Sequence, residues 1–244
     1  MPKTALVTGG GAGIGRTIAE ALLARGHSVV AADLRFPDGV PEGARALVAD
    51  VSTDAGVRAM IDDVEAREGP VDVFVGNAGL GFAMDAASPD EDWARMMDVN
   101  LMAHVRAARR LLPDLAHRGG SFVVTASAAG LLNEVGSIGY GVSKHAAVGF
   151  AEWLAFHHAA DGLKVHCLCP EGVLTSMIGF APYLRERAVT PEAVAAALMA
   201  AMDAGRFMVT THESTLKGLA VKAADYDKFI RFMARETEKR RDEA

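Results

Sequence analysis

Residues 3–25 constrain this chain more than any other stretch. Lys3, Thr4, Ala5, Leu6, Val7 and Thr8 read as a short buried strand, and Gly9, Gly10, Gly11, Ala12, Gly13, Ile14 and Gly15 follow at once. Residues 16–25 then take helical spacing, with Ile18, Leu22 and Leu23 on one face. Glycines between a strand and a helix permit a tight turn, close approach of the backbone to a pyrophosphate, and close packing of helix on strand. The spacing is not G-x-G-x-x-G, because Ile14 and Arg16 fall where the third glycine would stand; it is T-G-x-x-x-G-x-G from Thr8 to Gly15. An ordinary glycine-rich turn is the plainer reading. The place of the loop, at the head of an α/β pattern, argues against it.

The rest of the chain keeps that alternation. Strands are expected at 3–8, 27–32, 45–49, 71–76, 120–126, 163–168 and 206–210, and helices at about 13–25, 54–67, 90–116, 138–160 and 191–203. Such alternation predicts a mostly parallel sheet with helices on both faces. No linker or repeat interrupts it, so residues 1–244 are expected to form one domain, with 212–244 as a C-terminal helical extension. Half of the residues are hydrophobic, enough for a large core, and the net charge of −6 disfavours a nucleic-acid surface. No apolar run approaches the ~20 residues that span a bilayer, and Met1, Pro2 and Lys3 lead straight into a strand, so no membrane anchor or signal segment is expected and the cytoplasm is the expected location. Cys167 and Cys169 alternate along an expected strand, which places both on one face as small core residues. Two thiols alone make a poor zinc site, and no metal is expected.

A second constellation suggests chemistry. Tyr140 is followed four residues later by Lys144, one helical turn along the same face, and Ser127 stands thirteen residues upstream of Tyr140. A phenol with a pKa near 10 is a poor base at neutral pH, but a nearby ammonium favours the phenolate. A serine hydroxyl can hold the substrate oxygen beside it. Together they read as a proton-transfer site for an alcohol/carbonyl pair. Ser143, one residue before the lysine, points to another helix face and is not expected to take part.

These residues resemble the short-chain dehydrogenase/reductase family. Its markers occur in order: residues 8–15, Asp50 and Val51, Asn77, Ala78 and Gly79, Asn100, Ser127, Tyr140, Lys144 and Pro170, a resemblance that runs roughly to Thr211. It implies a Rossmann-like doubly wound domain of about seven strands, with the site at the carboxyl ends of the central ones. It further implies an oxidoreductase in which Tyr140 exchanges a proton with the substrate, Lys144 stabilises the phenolate and reaches the cofactor ribose, and Ser127 holds the reacting oxygen. Asn100 would distort its helix and complete a proton relay through an ordered water. The same resemblance implies contact of the cofactor with Thr8, Gly9, Gly11, Gly13, Ile14 and Gly15, with Asp50, Val51, Asn77, Ala78 and Gly79, and with Tyr140, Lys144, Pro170, Val173 and Thr175. A homodimer or homotetramer is the usual assembly.

Cofactor choice turns on Asp33, which ends the second expected strand eighteen residues past Gly15 and is followed by Leu34. A carboxylate there accepts from both ribose hydroxyls of NAD and repels the 2′-phosphate of NADP. Ala12 stands where NADP-using members often carry a basic residue. Arg35 is the one dissenting charge. NAD is therefore expected over NADP.

The chain departs from the family pattern in two places. In Cys169, Pro170, Glu171, Gly172, Val173, Leu174 and Thr175, a glutamate replaces the usual first glycine, and its carboxylate is expected to face solvent. The usual V-D-G-G ending is also missing. In its place Leu219, Ala223, Tyr226, Phe229, Ile230 and Met233 take helical spacing, with a charged run at 235–242. Residues 128–139 and 176–189 would select the substrate, and the apolar Met177, Ile178, Phe180, Tyr183 and Leu184 suggest either a lid for a hydrophobic or alicyclic alcohol or ketone, or equally a helix pair packing on the body or on a partner. Glu134 and Arg185 either meet a polar substituent or are merely solvated. Two other readings share these residues: a non-catalytic NAD(H)-binding sensor or scaffold, and an epimerase or dehydratase, whose usual glycine spacing Ala12 breaks.

Overall fold

In the computed structural model, which describes residues 2–242 (240–242 by their backbone), seven strands form one sheet in the order β3-β2-β1-β4-β5-β6-β7, with every pairing parallel. Residues 1, 243 and 244, the ends of the expected 1–244 unit and 212–244 extension, lie outside the described residues. The strands are β1 Thr4–Thr8, β2 Ser28–Asp33, β3 Arg45–Val48, β4 Val71–Gly76, β5 Ser121–Thr125, β6 Lys164–Cys169 and β7 Met208–Thr210. The helices are α1 Gly13–Ala24, α2 Asp54–Glu68, α3 Asp90–Met97, α4 Ala103–His117, α5 Ala129–Leu132, α6 Ile138–His157, α7 Pro191–Asp203, α8 Glu213–Ala224 and α9 Tyr226–Asp242. This is the Rossmann-like doubly wound α/β arrangement. Strand order reverses between β1 and β4, which opens a crevice at their carboxyl ends.

The strands are apolar on both faces, as a sheet covered by helices on both sides requires. On one face Leu6, Val30, Phe74, Phe122 and Val124 meet α2, α4 and α6 through Ile61, Leu111 and Leu154. On the other, Ala5, Val7, Val75 and Val123 meet α1 and α7 through Ile18, Leu22, Val194 and Leu198. Period-two alternation along β1 thus divides the core into its two layers. Short polar side chains start the helices that carry function. Ser137 caps α6 by accepting from Tyr140 N–H at 3.3 Å, and Thr190 caps α7, where Pro191 occupies the first turn.

Two expected helices are broken. The stretch read as one helix over 90–116 is α3 and α4 joined by a π-turn, Asp98–Met102, that contains Asn100. The extension expected as one amphipathic helix is α8 and α9, separated at Asp225, whose carboxylate accepts from Lys228 N–H at 2.8 Å. Helical spacing continues through both breaks, so periodicity alone does not reveal them. No helix among the described residues is long and apolar enough to cross a membrane.

Candidate active site

The cradle after β1 is built from backbone. Gly9 and Gly13 hold φ of +66° and +52°, the left-handed region that glycine adopts without steric cost. A Cβ on Gly15 would stand 2.0 Å from Gly9 O, and one on Gly11 would stand 2.2 Å from Arg35 O. The start of α1 has no side-chain cap, because Ala12 occupies the N-cap, and no acidic residue lies in its first turn. Its leading N–H groups are thus left to an external acceptor, and the helix dipole favours an anion there. An uncapped helix start behind a glycine loop fits the pyrophosphate of a dinucleotide.

Side chains around the cradle brace it. Thr8 Oγ1 accepts from Asn77 N–H at 2.9 Å and Ala78 N–H at 3.1 Å, while Asn77 Nδ2 donates to Thr8 O at 3.1 Å. The ends of β1 and β4 are tied together in this way. Asp33 Oδ2 accepts from Gly11 N–H at 2.9 Å and Oδ1 from Arg35 N–H at 3.4 Å, so the carboxylate fixes the loop. Leu34 is exposed beside it, Asp50 turns back to accept from Ser52 N–H, and Val51 is buried. Thr175 approaches Gly13 closely, which brings the loop after β6 against the start of α1. The cofactor-side residues expected from sequence therefore converge on the crevice from β1, β2, β3, β4 and β6.

At the end of β5 and the start of α6, Ser127, Tyr140 and Lys144 are buried together. Ser127 Oγ donates to Pro170 O at 3.4 Å beside Tyr140, and Phe180 packs edge-on against the tyrosine ring at a centroid distance of 5.2 Å. Burial pushes the phenol up to about 12, against the lowering effect of the neighbouring Ser127 hydroxyl. Lys144 Nζ lies 5.7 Å from the Tyr140 ring centroid and donates to Thr125 O at 2.8 Å, and burial brings its pKa down to about 8. Desolvation thus outweighs its neighbours and keeps the Tyr140 phenol protonated at neutral pH.

Asn100 is fully buried, and its side chain is committed to the protein. Its Oδ1 accepts from Leu80 N–H at 2.8 Å, and its Nδ2 donates to Leu80 O at 3.0 Å and Ser143 Oγ at 3.0 Å. Ser143, which sequence reasoning set aside, is this partner and also donates to Tyr140 O at 2.9 Å. The other helix face it points to is the one that meets the π-turn. His104, one turn beyond Asn100, is also buried; its ring nitrogens have no hydrogen-bond partner among the described residues. Burial, aided by Lys144, holds its pKa down to about 3. Gly76 admits this ring, since a Cβ there would stand 2.3 Å from Nδ1. No sequence motif marked His104; its signal was a titratable residue one turn from an expected site residue.

In front of Ser127 and Tyr140 lies a cavity of about 520 Å³ that reaches to Phe229, Phe232 and Met233 of α9. The lid at 176–189 forms two 3-10 turns, Ser176–Phe180 and Pro182–Arg187, and Tyr183 Oη donates to Glu134. Glu171 does not face solvent as expected. Its side chain is 10% exposed, Oε1 pairs with Arg187 at 3.0 Å, and Oε2 accepts from Ser214 and Thr215 hydroxyls at 3.0 Å each. Those partners lie 16 to 44 residues away in sequence, beyond the reach of any local pattern.

A family model described as short chain dehydrogenase matches residues 3–182. Momilactone A synthase of Oryza sativa subsp. japonica is 30% identical over 259 residues, covering 93% of this chain and 93% of that protein. Meso-2,3-butanediol dehydrogenase of Serratia marcescens is 32% identical over 222 residues, covering 83% of this chain and 88% of that protein. Among solved structures, a short chain dehydrogenase/reductase from Burkholderia phymatum in complex with NAD superposes with a TM-score of 0.83 at 27% identity, covering 93% of this chain and 94% of that one. Family match, near-complete coverage and fold agree: this chain belongs to the short-chain dehydrogenase/reductase family of oxidoreductases.

Proposed function

We propose that this protein is an NAD-dependent oxidoreductase interconverting a secondary alcohol and a ketone on a hydrophobic or alicyclic small molecule, with Tyr140 as general acid/base. The carrying observation is the burial of Ser127, Tyr140 and Lys144 together at the floor of an apolar cavity, with the glycine cradle alongside. Bound nicotinamide supplies the hydride acceptor for oxidation and the hydride donor for reduction. Ser127 Oγ and Tyr140 Oη hold the reacting oxygen between them. In reduction the Tyr140 phenol, kept protonated at neutral pH by a pKa near 12, donates its proton to the more basic developing alkoxide. In oxidation the same oxygen takes the alcohol proton. Lys144, as ammonium, then stabilises the phenolate and donates to the ribose hydroxyls. Asn100 and Ser143 hold the π-turn against α6 and so keep Tyr140 and Lys144 in register.

Asp33 supports NAD over NADP. Its carboxylate is fixed by Gly11 N–H, so its charge cannot swing away from a 2′-phosphate. The exposed Trp153 and Phe156 on α6 support the expected homodimer or homotetramer. NADH formation is measured on a panel of alicyclic, aromatic and steroid-like secondary alcohols, with NADP as the cofactor control. Tyr140→Phe is expected to lower kcat by about 10²–10⁴ while NADH still binds, as read by its fluorescence. Undiminished turnover in the variant would end the proton-transfer role. NADH binding without turnover of any alcohol or ketone would move the sensor reading ahead.

A further inference from the structure

We infer that Glu171 is a positioning residue that docks the C-terminal helices as the outer wall of the substrate cavity, and that this wall selects alcohols or ketones with a rigid apolar body larger than a single ring. The inference rests on the dehydrogenase reading above and extends it to substrate size.

Glu171 joins three parts of the chain: the loop after β6, the lid and the start of α8. It sits in the loop after β6, next to Pro170, whose carbonyl accepts from Ala128 N–H at 2.8 Å beside the catalytic serine. One carboxylate oxygen holds Arg187 at the end of the lid, and the other takes both hydroxyls at the start of α8. Thr215 is fully buried by this contact. The lid strengthens the junction from its own side, since Arg187 O accepts from His212 Nε2–H at 2.8 Å. Backbone closes the remaining gap: Val189 N–H donates to Gly172 O at 3.0 Å, and a Cβ on Gly172 would stand 2.9 Å from Leu184 O. A buried carboxylate needs such partners, because unpaired it would carry a large desolvation cost.

What hangs from this junction is the far side of the cavity. Helix α8 leads directly into α9, whose Phe229, Phe232 and Met233 face Ser127 and Tyr140 across the cavity. The space of about 520 Å³ also takes in Ile14, Pro170, Val173 and Thr175, so substrate and the nicotinamide end of the cofactor would share it. A substrate that fills the part from Tyr140 to α9 touches the aromatic side chains of α9, and one that stays at Tyr140 does not. Glu171 holds the start of α8, while Lys222 Nζ, donating to Leu131 O at 2.6 Å, holds its far end; size selection depends on the first junction keeping α8, and α9 behind it, in place.

The test compares two secondary alcohols, cyclohexanol and a tetracyclic 3-hydroxysteroid, at saturating NAD. It also follows amide hydrogen exchange over residues 213–239 in the chain without substrate. Glu171→Gly is expected to lower the ratio of kcat/KM for the steroid over cyclohexanol at least tenfold, mainly through KM, and to speed exchange in α8 and α9 at least tenfold. Glu171→Gln should fall between that variant and the wild type, because an amide oxygen still accepts from Ser214 and Thr215 but does not pair with the Arg187 charge. The double variant Ser214→Ala/Thr215→Val leaves Glu171 in place and should reproduce Glu171→Gly, which guards against misfolding of the glycine variant. An unchanged ratio, or unchanged exchange, in the double variant overturns the inference. If the wild type turns over neither alcohol, the size selection falls with the dehydrogenase reading. The exchange arm needs no turnover and decides the docking separately.

Discussion

On the α1 side of the cavity, the tightest approaches are to backbone atoms, Gly9 O and Arg35 O; on the α9 side, the critical contacts run between side chains far apart in sequence. The cradle brings Gly15 against Gly9 O, and any side chain there would be excluded by atoms six residues back. The wall depends on Glu171 meeting Arg187, Ser214 and Thr215, none of them within fifteen residues. A backbone-built feature demands particular residue types at fixed spacing. A side-chain-built feature can be met by many combinations. The family match reflects this asymmetry, since it ends at residue 182, inside the lid and before the extension begins.

The sharpest way to break the comparison is to put a methyl group into the cradle. Gly15→Ala places a Cβ 2.0 Å from Gly9 O and 2.5 Å from Asn77 Nδ2, and the first of these is backbone that cannot rotate away. Overpacking of this kind costs typically 1–3 kcal/mol, and about 3 kcal/mol is expected here from urea unfolding, together with loss of NADH binding. Retained NADH affinity at wild-type stability would mean that the cradle is as forgiving as the wall.

Legibility in the sequence follows the same division. The strand–glycine–helix start, the parallel sheet and the convergence of Ser127, Tyr140 and Lys144 were readable because each rests on a local period or a fixed spacing. A distortion at Asn100 was expected from resemblance, but not its form as a π-turn, since helical spacing runs through it undisturbed from Met96 to Ala103. The role of Ser143 was missed because it depends on α6 packing against that turn, a tertiary fact. Glu171 was misplaced for the same reason. A loop carboxylate faces solvent unless distant partners exist, and those partners belong to segments without a motif.

A second, smaller effect probes the floor that both sides share. Lys144 is buried with its pKa brought down to about 8, from 10.5 in an unfolded chain. Between those values the unfolded chain binds a proton that the native protein lacks, so stability rises with pH across this window. Below pH 8 both states are protonated and the cost of the buried ammonium is fully present. Tyr140 has the opposite sign, because its pKa is pushed up to about 12 and stability falls with pH only above about 10. Urea unfolding at pH 7.5 and 9.5 avoids that second window. Relative to Lys144→Met, the wild type should become more stable by about 2 kcal/mol over this interval, by the ~1.4 kcal/mol that each pKa unit represents. A difference that stays constant with pH would show that the ammonium is better solvated than its burial implies.

The smallest expected effect lies at the wall. Phe232 is 49% exposed and lines the cavity from α9. Full burial of such a side chain is worth ~1.5–3 kcal/mol, so the half that a bulky substrate covers contributes about 1 kcal/mol to binding. Phe232→Ala should therefore raise KM for a fused-ring alcohol about fivefold, since 1.4 kcal/mol is tenfold. Its own stability should change little, because a half-exposed ring removed from a helix surface leaves no closed cavity behind. NADH affinity should not move, because Phe232 lies across the cavity from the cradle. This pattern, a substrate-dependent KM with cofactor binding and folding untouched, separates a side-chain wall from a backbone cradle. Gly15→Ala should show the reverse on every count. If Phe232→Ala weakened NADH as much as it weakened the bulky alcohol, the two sides would be one coupled unit, with α9 closing over the cofactor as well as the substrate.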